Sequence, residues 1–326
     1  MIKILLLVDN RGWAYDTKAR ALIDNYRGSD FEFEIVGYKD DPEQLTRAFS
    51  KNDYYLCFGF QNFNKCERRH GADRKKALAS IASHASWDKG KTQPDNQVLP
   101  DRAILNYLST FKSVSSVSKR LQKLFKKAGL RTTYTPNGVP TNQFTPNISF
   151  ANPKKLIIGY AGRDRDDKKG NRSFIIPAAK SLRKHVSLEL AMCDFILERK
   201  KGIRGSTYRN YTDMPNFYRN LDIYICMSRE EGSCRSVLEA MASGCAIIST
   251  DCGAIHELIS DGDGGLIVDR NLDSLVKGLQ TLLNDRDLVT KMKIRNSKAI
   301  KNFDWSVVAN QWYAWLEETL CRNQKN

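Results

Sequence analysis

Glu231-Gly-Ser-Cys-Arg-Ser-Val-Leu-Glu239, continued by Ala240-Met-Ala-Ser-Gly-Cys-Ala-Ile-Ile-Ser249, decides how this chain is read. Two carboxylates stand eight residues apart. The first lies in a Gly/Ser-rich loop after an apolar strand, Leu221 to Met227. The second lies in the first turns of a short helix, expected to begin near Arg235 and to end near Gly244. Eight residues is slightly over two helical turns, so Glu239 is expected to face roughly the same way as the loop. Backbone N–H groups around Ser233 to Ser236 are donors at a helix N-terminus, a ready seat for a phosphate. A carboxylate accepts two O–H hydrogen bonds and suits a ribose or hexose diol. These are the parts of a nucleotide-sugar site.

Around this stretch, strands and helices alternate, which argues for α/β architecture with parallel sheets. Ile2–Val8 reads as a buried strand, followed by a helix from about Thr17 to Tyr26. Further strands are expected at Phe31–Val36, Tyr54–Gly59, Ala77–His84, Ser113–Val117 and Thr132–Thr135, with a helix at Ser118–Lys127. Pro136-Asn-Gly-Val-Pro-Thr-Asn-Gln-Phe-Thr-Pro146 carries three Pro and a Gly and is no regular element. A second α/β unit starts at Lys155–Tyr160. Its strands continue at Ser187–Met192, Ile223–Met227, Ala246–Ser249 and Gly265–Val268, and the chain ends in helices from about Leu272 to Leu320.

The 326 residues suffice for two domains of about 150 each. No apolar run reaches the ~18 residues of a transmembrane helix. The opening Met1–Asp9 is too short for a signal peptide and reads as a first strand. Eight cysteines include no Cys-x-x-Cys pair and no Cys/His metal spacing. Several (Cys57, Cys193, Cys226) sit in apolar runs as reduced core thiols, so the expected location is the cytoplasm. Charge is uneven. Residues 51–150 hold 17 Lys and Arg against 6 Asp and Glu, a surplus of 11 out of the chain's +15, whereas residues 201–326 hold 16 against 16. The cations concentrate at Lys65 to Lys76 and Lys119 to Arg131. Such a basic half favours a polyanion: an anionic membrane surface at the inner face, a nucleic acid or an anionic acceptor. In the helix Ser118–Lys127, Leu121, Leu124 and Phe125 share a face ringed by cations. That face either touches anionic lipid or packs into the core.

Ser228, Glu231, Gly232, Leu238, Glu239, Ala240, Met241, Ala242 and Gly244 match, position by position, the Glu-x7-Glu signature Ser-x-x-Glu-Gly-x-x-x-x-x-Leu-Glu-Ala-Met-Ala-x-Gly. The chain thus resembles retaining glycosyltransferases of the family 4 type. Cys245 departs from the family by preceding Ala246 where Pro is common. Pro136-Asn-Gly-Val-x-x-x-x-Phe-x-Pro146 is similar to the string that marks the family's domain crossing. The resemblance implies the GT-B fold: two Rossmann-like domains with mainly parallel sheets facing across a cleft. The boundaries expected are 1–140 for an acceptor-side domain, 141–304 for a nucleotide-sugar domain, and 305–326 for a helix crossing back to the first domain.

Gly162-Arg163-Asp164-Arg165-Asp166-Asp167-Lys168-Lys169-Gly170 follows a strand, at the edge where α/β sheets bind ligands. A departing diphosphate needs such cations. The stretch resembles the family's Gly-Arg-x-x-x-x-Lys-Gly, whose Arg and Lys clamp the diphosphate. Lys168 has the family spacing from Arg163, but Lys169 precedes the Gly and is favoured. By the same resemblance, Gly12 lets backbone approach the diphosphate, His84 stands by the sugar, Glu231 faces the donor sugar, Glu239 the ribose, and Ser236 the phosphates. The expected catalytic set is His84, Glu231, Arg163 and Lys169. The donor set adds Gly12, Gly162, Lys168, Ser233, Arg235, Ser236 and Glu239. Arg11 is a candidate contact to acceptor or phosphates, and Trp13 either stacks on a ring or anchors in the core. No metal is expected, since Arg and Lys can neutralise the leaving group, and the Asp164-Arg165-Asp166 spacing sits in a cationic loop. The implied reaction moves a hexose from a UDP- or GDP-sugar, with retention and no cofactor beyond the donor, to a glycan or glycolipid. The alternatives are a DNA-modifying glucosyltransferase acting on a modified base and a non-catalytic sugar-nucleotide-binding protein.

Overall fold

The computed structural model describes residues 1–83, 98–150, 152–162, 167–192, 203–206 and 210–321. The chain divides into two compact units. The first runs up to Gly138 and regains the chain from Trp305; the second is Val139–Asp304.

The first unit holds β1 (Ile2–Val8), α1 (Ala14–Asn25), β2 (Phe31–Gly37), α2 (Pro42–Lys51), β3 (Tyr54–Cys57) and α3 (Phe63–His70). They are followed by β4 (Ala77–Ile81), α4 (Arg102–Leu108), β5 (Ser113–Ser116), α5 (Lys119–Lys127) and β6 (Thr133–Tyr134). Its six strands are parallel in the order β2-β1-β3-β4-β5-β6. β1 is an interior strand between β2 and β3, and Ile4 to Val8 are wholly buried, as expected where helices cover both faces of a parallel sheet. On α5, Leu121, Leu124 and Phe125 belong to the core of this unit. The apolar face of that helix therefore packs inward, and only its cations face water, so it has no apolar face left to enter lipid.

The C-terminal helix, Trp305–Leu320, packs on α1 in this same unit. Trp312 Nε1 donates to the Pro136 carbonyl at 2.8 Å and Trp315 Nε1 to Ser113 Oγ at 2.8 Å. The Lys18 ammonium lies over the Trp312 ring, 4.0 Å from its centroid. Large aromatic area with satisfied N–H groups fixes the returning helix.

The second unit contains β7 (Leu156–Gly162), α6 (Ile176–Ser181), β8 (Val186–Met192), β9 (Ile203–Ser206), α7 (Met214–Arg219), β10 (Ile223–Cys226) and α8 (Arg235–Ala242). β11 (Ala246–Ser249), α9 (Ile255–Leu258), β12 (Ser260–Asp261), β13 (Gly264–Ile267), α10 (Leu272–Asn284) and α11 (Arg286–Ala299) complete it. Seven parallel strands run in the order β12-β13-β11-β10-β7-β8-β9. The chain builds outward from β7 to β8 and β9, then returns to the other side with β10. The switch point lies between β7 and β10, where open α/β sheets form a crevice beyond the strand carboxyl ends. A buried ion pair holds the opposite ends of these strands. Lys293 of α11 and Asp222 before β10 are both fully buried, with Nζ 3.2 Å from Oδ1. Asp222 Oδ2 accepts the Ile157 N–H at 2.8 Å, and Lys293 Nζ also donates to the Ser149 carbonyl at 3.0 Å.

Candidate functional site

The switch-point crevice is a pocket of about 420 Å³. Tyr160, Ala161 and Gly162 line it from β7; Tyr224, Cys226 and Ser228 from β10 and the turn after it. Among the described residues, Lys169, Glu231, Arg235 and Ser236 also line it. Residues far apart in sequence thus meet at one sheet edge.

The loop before α6 presents Lys169. Gly170 takes a left-handed conformation (φ +72°), and a Cβ there would lie 2.8 Å from the Met227 carbonyl oxygen. The Asp167 carboxylate accepts the N–H groups of Arg172 at 3.0 Å and Ser173 at 3.3 Å, closing the loop onto the helical turn that follows. Arg270, just after β13, donates Nε to the Met227 carbonyl at 3.0 Å and Nη2 to the Asp167 carbonyl at 2.9 Å. The guanidinium therefore ties the lysine loop to the end of β10. Of the adjacent lysines, Lys169 lines the pocket, while Lys168 lies outside the lining, 3.7 Å from Glu230.

Lys169 Nζ is ion-paired to Glu231 Oε1. Burial works against the charge on Lys169, but the neighbouring Glu231 carboxylate outweighs it and holds the ammonium above the ordinary lysine value. Ser228 Oγ donates to the same Glu231 oxygen at 2.7 Å, and the Ser228 carbonyl in turn accepts Thr250 Oγ1 at 2.5 Å.

Glu239 lies one turn into α8, buried and outside the pocket lining. Its carboxylate accepts the phenols of Tyr211 at 3.2 Å and Tyr218 at 3.0 Å, and Arg235 approaches at 3.7 Å. Burial raises its pKa above the ordinary carboxylate value; Arg235 and the two phenols pull the other way and only in part offset it. The two carboxylates of the signature therefore differ in kind. Glu231 opens onto the pocket, and Glu239 braces the arginine that does so. Ser233 is buried at the loop's end and is likewise outside the pocket lining. Arg235 and Ser236, the first two residues of α8, bring that helix's N-terminus to the pocket.

In the first unit, the Gly12 N–H donates to Asp16 Oδ2 at 2.9 Å. Arg11 is held by Asp40 at 2.8 Å, by Asp16 at 3.5 Å and by the Ile35 carbonyl at 2.9 Å. These groups hold a turn together, and the Arg11 side chain stays 40% exposed. Trp13 is 49% exposed, so it is no core anchor. Lys123 and Lys126 of α5 and Arg131 beyond it, with Gln122 and Thr132, line a separate depression of about 390 Å³. His84 and Arg163 lie outside the described residues.

Sequence reasoning missed Arg270, Tyr211 and Tyr218. Arg270 had a usable signal, since it directly follows a parallel strand and so stands at the ligand edge. The tyrosines had none, because their meeting with Glu239 depends on how α7 packs on α8. Cys226, Cys234 and Cys252 also converge, with their Sγ atoms all within 4.8 Å of one another.

Residues 142–299 match the family model described as glycosyl transferases group 1. That match spans nearly all of the second unit. Among curated proteins, a lipopolysaccharide core biosynthesis mannosyltransferase, LpsB of Rhizobium meliloti, is 25% identical over 194 residues, covering 51% of this chain and 55% of that protein. The chain spans about half the length of the curated relatives it matches. Two solved structures resemble it over nearly its whole length. Sucrose-phosphate synthase from Thermosynechococcus elongatus aligns with a TM-score of 0.79 at 14% identity, covering 99% of this chain and 100% of that one. HepE of Anabaena, in complex with UDP-glucose, aligns at 0.75 and 15%, covering 98% and 100%. At such identities the likeness is one of fold: these are GT-B glycosyltransferase neighbours, and the α/β architecture with parallel sheets agrees with theirs.

Proposed function

We propose that this chain transfers a hexose from a nucleotide diphosphate sugar to a glycan or glycolipid acceptor, with retention of configuration. The observation that carries the reading is the pocket at the β7–β10 switch point, where Lys169, Arg235, Ser236 and Glu231 share one wall. Lys169 and the N-terminus of α8 supply positive charge suited to a diphosphate. Glu231, held by Ser228, supplies an acceptor for sugar hydroxyls. Glu239 acts by holding Arg235. Arg163 and His84 stay in the proposed catalytic set on the resemblance alone, as does Gly162 in the donor set with its place in the pocket lining. The HepE neighbour is a complex with UDP-glucose and LpsB is a mannosyltransferase, so the first donors to try are UDP-glucose and GDP-mannose. The Lys123–Lys126–Arg131 depression supports an anionic acceptor.

Calorimetric titration with UDP, GDP and the two sugar nucleotides tests the donor. Removing one charged hydrogen bond costs about 1.5–3 kcal/mol, so Lys169→Ala should weaken the nucleotide roughly 10- to 150-fold. Absence of binding to every nucleoside diphosphate tried would overturn the reading. The anomeric configuration of the product, read by NMR, tests retention.

A further inference from the structure

Three of the eight cysteines are drawn together from segments 8 and 18 residues apart. Cys226 ends β10, Cys234 precedes α8 in a left-handed conformation (φ 51°), and Cys252 follows β11. All three are buried, at 3%, 2% and 0% exposure. Cys234 and Cys252 have Sγ atoms 4.0 Å apart, and Cys226 Sγ lies 3.6 Å from Ser228 Oγ. With a metal–sulfur distance of ~2.3 Å, a trigonal thiolate set has edges of ~4.0 Å and a tetrahedral one ~3.8 Å. The observed spread needs a contraction of at most about 1 Å to meet either geometry.

Packing holds the three segments in place. Gly253 adopts a left-handed φ of +52°, and a Cβ there would lie 2.7 Å from Glu231 Cβ, 2.9 Å from the Gly232 carbonyl and 3.0 Å from Cys234 Sγ. The turn after β11 can lie this close to the Glu231 loop only because position 253 has no side chain. Isolated buried thiols elsewhere, such as Cys57 and Cys245, behave as small apolar groups and need no gathering. The triad also has an entry path, because Cys226 lines the pocket.

We propose that Cys226, Cys234 and Cys252 form a three-thiolate site for a thiophilic d10 cation, zinc or copper(I). On zinc, the fourth position goes to water or to the Ser228 hydroxyl. Loading displaces the three S–H protons to solvent as the three metal–sulfur bonds form. With zinc the site carries one excess negative charge. The bound ion clamps the end of β10, the Glu231 loop and the start of α8 to the turn after β11. The site stands independently of which ligand the pocket takes.

The test uses the full chain, reduced and stripped of metal, titrated with Zn²⁺ against a chromophoric chelator and, anaerobically, with Cu(I) against bicinchoninate. The expected result is one ion per chain, with three thiols protected from a thiol reagent. A cobalt(II) replacement should show thiolate-to-metal charge-transfer absorption. Each of Cys226→Ser, Cys234→Ser and Cys252→Ser should weaken the ion at least about tenfold, while Cys245→Ser leaves it unchanged. The two titrations distinguish zinc from copper. If the unmodified chain binds neither ion, or binds one without protecting three thiols, the proposal is wrong whatever the variants do. A Cys234–Cys252 disulfide that forms in air while the reduced chain takes no metal would also overturn it.

Discussion

Gly170→Ala should damage both the stability of the second unit and its pocket, and the structure separates two contributions. The first is conformational. An alanine held in the left-handed region costs about 1–2 kcal/mol relative to glycine. The second is steric. The new Cβ would meet Phe174 Cδ2 at 2.7 Å, the Met227 carbonyl oxygen at 2.8 Å and Met227 Cβ at 2.9 Å. The phenylalanine can rotate away, but the carbonyl is backbone at the end of β10 and already accepts Arg270 Nε. Overpacking of this kind costs about 1–3 kcal/mol. Gly262→Ala is the matched control. It lies in the same unit with a similar φ of +79°, and a Cβ there has nothing within 4 Å. Urea denaturation should therefore show Gly262→Ala losing only the conformational contribution. Gly170→Ala should lose at least about 1 kcal/mol more. Because the displaced carbonyl also anchors the lysine loop through Arg270, nucleotide affinity should fall in Gly170→Ala and hold in Gly262→Ala. Equal losses of stability in the two variants would refute the close approach of Gly170 to β10 and, with it, the account of how Lys169 is aimed.

Two further outcomes follow from buried charges. Lys293→Met leaves the fully buried Asp222 carboxylate without its cation and should cost about 3–5 kcal/mol in urea denaturation. Adding Asp222→Asn, which can still accept from the Ile157 N–H, should recover most of that loss; no recovery would show that Lys293 acts through packing alone. Burial raises the Glu239 pKa, so the folded chain holds this proton more tightly than the unfolded chain. Its contribution to stability therefore falls as pH rises from the ordinary carboxylate range through the raised value. Glu239→Gln should flatten that fall and leave the ligand-free protein more stable at pH 7, as read by denaturation between pH 4 and 8. An unchanged pH profile would refute the assignment.

Much of the fold is legible in the sequence, and the mismatches have physical causes. β1 has the bounds that its apolar run predicts, because an interior parallel strand is buried on both faces. α1 starts at Ala14 rather than near Thr17, because Thr17 is inside the first turn. Its Oγ1 donates back to the Trp13 carbonyl at 2.9 Å instead of capping the helix. Among the described residues, the strand expected at Ala77–His84 pairs with its neighbour through Ile81, and Thr132–Thr135 reduces to a two-residue edge strand. At the site, local spacing finds Glu231, Arg235 and Ser236 because one loop and one helix turn carry them all. Glu239 is buried against the two tyrosines of the segment around α7, a placement set by packing and not by local spacing. Local spacing is silent on the cysteine triad, because motif spacing looks for ligands close in sequence, whereas these three meet only through the order of strands in the sheet.

The pairing of Lys169 with Glu231 bears on how such a pocket works. A cation aimed at a future diphosphate is costly to hold alone in a partly buried wall. Here the Lys169 side chain keeps 32% of its surface exposed and Glu231 18%, and each neutralises the other. On the proposed reading, a phosphate oxygen takes the place of the carboxylate oxygen at Lys169, exchanging one charge-assisted hydrogen bond for another. Glu231 is then released from the cation but still held by Ser228, and it presents a full negative charge to the sugar's hydroxyls. Diphosphate and sugar would thus be sensed together, since the group that reads the sugar becomes available only when the phosphates have displaced it. A nucleoside diphosphate with no sugar would leave Glu231 with neither cation nor diol. A Glu231→Gln variant, which carries no charge to strand, should therefore narrow the affinity gap between nucleotide sugar and bare nucleoside diphosphate. If that gap is unchanged, the two parts of the donor are recognised independently.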